Sequence, residues 1–344
     1  MKPPVAPTSP LLWLRKNLFS TWYNSVLTVV CAWFIIWAGS SFLRWMFTQA
    51  QWAVVAANLR LFLVGRYPAD QTWRLVVALL ILLGMLALWG IKLVSPKPKT
   101  KERLTQLTFI LLPFALCLIL WLIGGGFGLT PVSTNLWGGL MLTLLVAFFS
   151  IILAFPLGIL LALGRQSSLP VIRWLSTIYI ELVRGLPLIG ILFMAQVMLP
   201  LILSSDVRLD RLVRAIAGLV LFNAAYLAEN VRGGLQSIPR GQTEAAKALG
   251  LSVPLTLGLV VLPQALRIAT PAIVGQFISL FKDTSLLSLF ALLELTGIGR
   301  SVLAQPQFLG RYAEVYLFIA LIYWIFCFSM SQISQRLERG ALLR

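Results

Sequence analysis

Apolar runs of similar length, separated by short polar breaks, dominate the chain. They cover Val26–Phe47, Trp73–Val94, Leu107–Ile123, Leu136–Leu163, Arg173–Leu203, Leu212–Ala228, Leu266–Leu293 and Glu314–Ile333. About 20 helical residues cross about 30 Å of hydrocarbon, so each run predicts one transmembrane helix. Val26–Phe47 is too long for the apolar part of a signal peptide and is expected to be a retained anchor. Eight spans would put both termini on one side. Gly124-Gly125-Gly126-Phe127-Gly128 predicts a flexible tether before the fourth run. That run carries Gly138, Gly139, Pro156, Gly158 and Gly164, small residues that let membrane helices approach closely. The fifth run is interrupted by Glu181, Arg184, Gly185 and Pro187, and the seventh is expected to break at Lys282-Asp283-Thr284-Ser285.

One stretch departs from this pattern. Ser237–Pro263 reads as a short polar helix starting near Pro239 or Thr243 and ending at Gly250. Ser252 then offers an N-cap for a second apolar run, which Pro263 is expected to break. Arg240, Glu244 and Lys247 fall at i, i+4 and i+7 and share one face, while Ala245, Ala248 and Leu249 share another. Such a helix can lie in a groove of a partner, or it can be an interfacial connector between membrane helices.

Composition sharpens the class. The 344 residues are 59% hydrophobic and 11% charged, which is an integral membrane protein and not a soluble domain. The net charge of +17 would suggest nucleic acid in a soluble chain, but here the basic residues flank apolar runs. They point to orientation in the bilayer and to contact with anionic membrane lipid. Seventeen basic residues, with the cluster Lys92, Lys97, Lys99, Lys101 and Arg103 foremost, fall on the side of the termini, against ten on the other. This bias predicts cytoplasmic termini and a cytoplasmic polar helix. With no histidine, imidazole acid–base chemistry and imidazole metal ligands are excluded. Cys31, Cys117 and Cys327 lie far apart inside apolar runs and read as packing residues.

The order of short motifs then adds a resemblance. Glu244-Ala245-Ala246, Gly250 four residues later and Val261-Leu262-Pro263 follow the EAA-loop pattern. Upstream lie Glu181-Leu182-Val183-Arg184-Gly185-Leu186-Pro187 and Tyr226–Leu235; downstream lies Lys282-Asp283-Thr284-Ser285-Leu286. Together they resemble the permease subunits of bacterial ATP-binding-cassette amino-acid importers, in the polar and general L-amino-acid branch. The resemblance implies an all-α, type I importer core of five helices at 131–336. It leaves a segment 1–24, three accessory helices within 25–130 and a tail 337–344.

It also implies roles. The EAA helix would dock on an ATPase subunit through Arg240, Glu244, Ala245, Ala246, Lys247 and Gly250, with Pro263 closing the motif. Glu181 and Arg184, at i and i+3, either neutralise each other or line the route. Asp283, Thr284 and Ser285 could meet the charged ends of an amino acid or simply hold the fold together. Gln196, alone in an apolar run, is the remaining pathway candidate. The chain has no G-x-x-x-x-G-K-S/T motif, so ATP and magnesium are expected on a partner ATPase, with no cofactor and no metal on this chain. The expected partners are ATPase subunits, a second permease in a heterodimer and a periplasmic amino-acid-binding protein, in the bacterial inner membrane. An ion-gradient transporter would be expected to repeat its motifs in two halves, and no such repeat is present. A membrane enzyme would need a nucleophile–base pair or clustered carboxylates, which the sequence does not offer.

Overall fold

The computed structural model describes residues 9–94, 98–204 and 208–342. Lys2, Pro3, Pro4, Pro7, Lys97 and Arg344 lie outside them. Among the described residues the regular structure is helical, with only isolated bridges between extended residues. Seven helices are long and apolar enough to cross a membrane, and a bent pair makes an eighth span. This is the all-α membrane architecture the apolar runs require, because a helix satisfies its own backbone where no water can.

The chain divides into two compact units, Met1–Val54 and Val55–Arg344. The first unit carries helix α1 (Trp22–Arg44), extended by a π turn at Trp45–Gln49. Thr21 caps its start by accepting from the Asn24 N–H. None of its residues is buried within the unit, as suits a helix whose apolar side chains face lipid.

In the second unit, α2 (Leu59–Val64) is a short helix within the polar break between the first two apolar runs. Its Phe62 is fully buried and meets Phe318 with ring centroids 5.1 Å apart. Helices α3 (Thr72–Val94) and α4 (Pro98–Gly124) then pack on each other. Their connection to the rest is well tied. Arg74, buried, donates to the carbonyl and the hydroxyl of Thr130, each at 2.9 Å, and Tyr67 Oη donates to the Ile123 carbonyl at 2.9 Å. The glycine run after α4 is therefore a folded turn and not a flexible tether. Gly126 and Leu129 bridge each other, and Trp121 Nε1 donates to the Gly126 carbonyl at 2.8 Å.

The remaining elements are α5 (Gly139–Arg165), α6 (Pro170–Gly185), α7 (Leu188–Phe193), α8 (Arg211–Gln236), α9 (Arg240–Ala248), α10 (Leu262–Asp283), α11 (Leu295–Leu303) and α12 (Tyr312–Leu342). Helices α5 and α8 run side by side in the same direction. Thr134 donates to Asp210 at 2.6 Å near their starts, and Arg165 meets Glu229 at 2.8 Å near their ends. Gly158 makes this approach possible: an added Cβ there would lie 2.7 Å from Leu227 Cβ.

Three features of the core differ from the sequence expectation. The fifth run is not one helix, because α6 and the segment Leu188–Ile202 meet at 103°. Leu186, held extended by the following Pro187 (φ −100°, ψ 143°), makes the corner. Second, Pro263 breaks nothing. A π turn at Thr256–Val261 leads directly into α10, and the helix continues through Pro263 in the first turn of α10. Third, Lys282–Ser285 does not interrupt the span, since α10 tightens into a 3₁₀ helix at Thr284–Phe290. One continuous span results, Val253–Phe290.

At the start of α5 the backbone is packed with no space for a side chain. Gly65 (φ +64°) and Gly139 (φ +61°) sit in the left-handed region. A Cβ on Gly139 would lie 2.4 Å from the Phe62 carbonyl oxygen, and one on Gly65 2.4 Å from Gly138 Cα. Gly139→Ala is expected to lose about 1–3 kcal/mol through overpacking. A lowered thermal midpoint of the purified protein in detergent checks this, and an unchanged midpoint would show that α2 can move away at little cost.

Candidate functional site

Helix α9 stands at the end of the bundle where α8 finishes, separated from Gln236 by three residues. Pro239 (φ −59°, ψ 138°) precedes it, so it begins at Arg240, the earlier of the two expected starts. Its end is defined by two backbone bonds. The Gly250 N–H donates to the Lys247 carbonyl at 2.9 Å, and the Leu251 N–H donates to the Ala246 carbonyl at 3.1 Å. These are the paired bonds of a Schellman motif, and Gly250 at φ +77° supplies the left-handed residue it needs.

The faces follow from this placement. Ala246 is buried, while Arg240, Glu244, Ala245, Lys247, Ala248 and Gly250 are exposed. Leu249, at 83% exposure, carries an apolar side chain into the open. Ala245, Ala248 and Leu249 do share a face, as their spacing requires, and that face is unoccupied. Gln264 Nε2 donates to the Val260 carbonyl at 2.7 Å and reaches Gln242 Oε1 at 3.3 Å, which holds α9 against α10.

Beside it, five charged side chains from three helices form one cluster. Glu229 of α8 takes Arg165 of α5 at 2.8 Å, Arg184 of α6 at 3.5 Å and Arg232, one turn on, at 2.7 Å. Arg165 also meets Glu181 at 2.7 Å. Glu181 and Arg184 are therefore not a mutual pair; each is tied into the cluster through a different helix. Arg184 also lies over the Tyr226 ring, 5.6 Å from its centroid. Arg165, Glu229 and Arg232 were not among the sequence candidates, since no spacing rule links residues 165, 181 and 229.

The other expected pathway residues lie toward the opposite end of the bundle. Gln196 is buried in the π turn Met194–Met198. Its Nε2 donates to the Arg211 carbonyl at 2.9 Å, and its own carbonyl accepts from Arg214. Thr284 is buried and donates to the Phe281 carbonyl at 2.7 Å, with Tyr323 Oη 3.4 Å away. Ser285 is partly buried and accepts from Ser288 through its carbonyl, and Asp283 is half-buried. The structure thus does not gather Glu181, Arg184, Gln196 and Asp283–Ser285 into one site.

Sequence reasoning missed Glu294, whose lone carboxylate gives no pattern. It is fully buried and caps α11, accepting from the Thr296 and Gly297 N–H groups, each at 2.8 Å, and from Tyr323 Oη at 3.3 Å. Next to it the Leu295 N–H donates to Thr143 of α5 at 3.0 Å, and the Gly139 N–H donates to the Leu293 carbonyl at 2.8 Å. Burial pushes the Glu294 carboxyl up to about 7, against the opposing pull of the two backbone donors.

Residues 154–342 match the family described as the binding-protein-dependent transport system inner membrane component. The chain belongs to that family of permeases. It is 44% identical to the inner membrane amino-acid ABC transporter permease protein YhdY of Escherichia coli K12, over 96% of this chain and 92% of that one. It is 34% identical to the glutamate/glutamine/aspartate/asparagine transport system permease protein BztC of Rhodobacter capsulatus, over 98% and 94%. A crystal structure of an amino acid ABC transporter with histidines superposes with a TM-score of 0.53 at 29% identity, covering 59% of this chain and 92% of that one. In the permease, the matched segment begins within α5 and contains α9 and all five members of the charged cluster.

Two predictions follow from these carboxylates. Because Glu294 holds its proton more tightly in the folded permease than in the unfolded chain, it adds stability that is full below about pH 4.5 and is lost as pH rises through about 7. The thermal midpoint in detergent should fall across this window, and Glu294→Gln should flatten that part of the profile. Glu229→Gln leaves Arg184 and Arg232 without a carboxylate and Arg165 with Glu181 alone, and should lower stability by about 1–3 kcal/mol. Denaturant unfolding in detergent measures it; a change of less than a few tenths would mean that solvent replaces the carboxylate.

Proposed function

We propose that this permease forms the translocation path of an ATP-driven amino-acid importer in the bacterial inner membrane. The single observation that carries the reading is α9 itself. It is a short helix with a firmly closed end, a tethered inner side and an exposed outer side of small residues, one leucine and three charges. Those properties suit a helix that seats in a partner's cleft. The names borne by similar proteins, all amino-acid permeases, support the substrate class. They do not choose among amino acids.

In this reading Arg240, Glu244, Ala245, Ala246, Lys247 and Gly250 couple the permease to an ATPase that binds ATP and magnesium. This chain binds no cofactor and carries out no catalysis. Both termini and α9 are cytoplasmic, and a periplasmic binding protein delivers substrate to the other end. A second, similar permease completes the path as a heterodimer. The organisation is then a segment 1–24, accessory helices in 25–130, the permease core 131–336 and a tail 337–344. Closure of the ATPases draws the α9 helices together. The charged cluster passes that movement from α8 to α5 and α6, because one carboxylate is shared by arginines on all three. Glu181 and Arg184 act there as transmission residues, and Asp283, Thr284 and Ser285 remain the residues proposed to line the path.

Gly250→Ala tests the coupling role. No neighbouring atom obstructs a Cβ there, so its cost is conformational, about 1 kcal/mol. The reconstituted complex should keep its assembly and basal ATP hydrolysis while losing most of its stimulation by loaded binding protein and most transport. Transport at the wild-type rate would exclude α9 as the lever.

A further inference from the structure

The end of the bundle opposite α9 is more basic than a membrane protein's outer end should be. Arg60, Arg66, Arg208, Arg211 and Arg300 are all exposed there. None of Arg66, Arg208, Arg211 and Arg300 forms an ion pair among the described residues, and Arg60 donates to the Tyr67 carbonyl. Among the described residues, Glu294 and Glu314 are buried, Asp210 is engaged by the Thr134 hydroxyl and the Leu212 N–H, and Asp70 is exposed. Basic residues outside the cytoplasm oppose the charge bias that orients membrane proteins. Five exposed arginines retained against that bias imply a use for them.

Two short helices build much of this surface. At 6 and 9 residues, α2 and α11 cannot cross a bilayer. Phe62 of α2 is sealed against Phe318, the Gly65 and Gly138 backbones touch, and Gln305 Nε2 donates to Asn58 Oδ1 at 3.3 Å. Arg60 and Arg66, from the accessory part, therefore stand on the same rigid platform as Arg300. The family match begins at residue 154, after α2, so Arg60 and Arg66 are additions to the shared core.

We propose that Arg60 of α2 and Arg66 just after it widen, beyond the family core, the face on which the binding protein of the reading above docks, by offering guanidinium groups to an acidic patch on that partner. Charge complementarity selects this occupant. The arginines lie at the end of the bundle and not along its lipid-facing flanks, and guanidinium groups suit paired hydrogen bonds to carboxylates. Such a face chiefly raises the rate of encounter and sets partner choice.

The test uses the whole complex in nanodiscs of neutral lipid, with ATP hydrolysis followed as loaded amino-acid-binding protein is titrated in. Arg60→Glu with Arg66→Glu should raise the half-maximal concentration about tenfold while leaving the maximal rate unchanged. Raising salt should weaken the wild type more than the variant. Arg60→Gln with Arg66→Gln, which adds no repulsion, should give a smaller shift in the same direction. An unchanged half-maximal concentration in both variants overturns the proposal. So does a shift that appears only in nanodiscs containing anionic lipid, which would assign the arginines to the membrane. If loaded binding protein fails to stimulate even the wild type, the importer reading falls first and this face falls with it.

Discussion

Hydrocarbon offers a backbone no hydrogen-bond partner, and this constraint shapes nearly every departure from plain helix in the permease. Where Pro263 removes an N–H, a π turn has already loosened the preceding ladder. Where the fifth span turns through 103°, the corner is a residue already held extended by a proline. Polar side chains inside the spans are likewise spent on backbone. Thr143, Thr270, Asn223 and Ser329 each donate to the carbonyl one turn behind, and Gln196 ties two elements through main-chain groups at both ends. Polar residues at depth are thus largely occupied, so a polar side chain in an apolar run is weak evidence for a substrate contact.

Charge follows the same logic at the α9 end. A carboxylate with 15% of its side chain exposed needs compensation, and Glu229 has three guanidinium partners where one would neutralise it. The surplus is partly met by Glu181, which reaches Arg165 from a second helix. Such a net resists separation of its helices, because moving any one of them uncovers charge in a site of limited hydration. It cross-links α5, α6 and α8 one turn from where α8 leads into α9.

The apolar pattern made most of the architecture legible in the sequence. Span number and approximate position follow from the length of hydrophobic runs, and the capped end of α9 from Gly250 and the residues before it. The misses have physical causes. A 6-residue helix such as α2 shows too little periodicity to stand out, so Phe62 passed as a residue of a polar break. Proline was read as a helix breaker at 263 because its tolerance depends on a distortion that sequence does not display. The Glu229 cluster joins residues up to 64 positions apart, and only packing reveals it. The pairing of Glu181 with Arg184, attractive at i, i+3, lost to partners on other helices with better geometry.

The two ends of the bundle are built on opposed principles, and the contrast bears on how force could cross it. At the start of α5, backbone meets backbone through Gly65, Gly138 and Gly139, with Glu294 and Thr143 closing the adjoining helix ends. Packed main chain of this kind has almost no room to slide, because a close-packed interface yields by jumping between arrangements and not by bending. At the α9 end, long arginine side chains span the gaps, and they can follow a displacement by changing rotamer while remaining paired. A pull applied at α9 would therefore be absorbed least in α8 and α5, which run the length of the bundle side by side. The 103° break between α6 and α7 lies with the charged cluster on one side and Gln196 on the other.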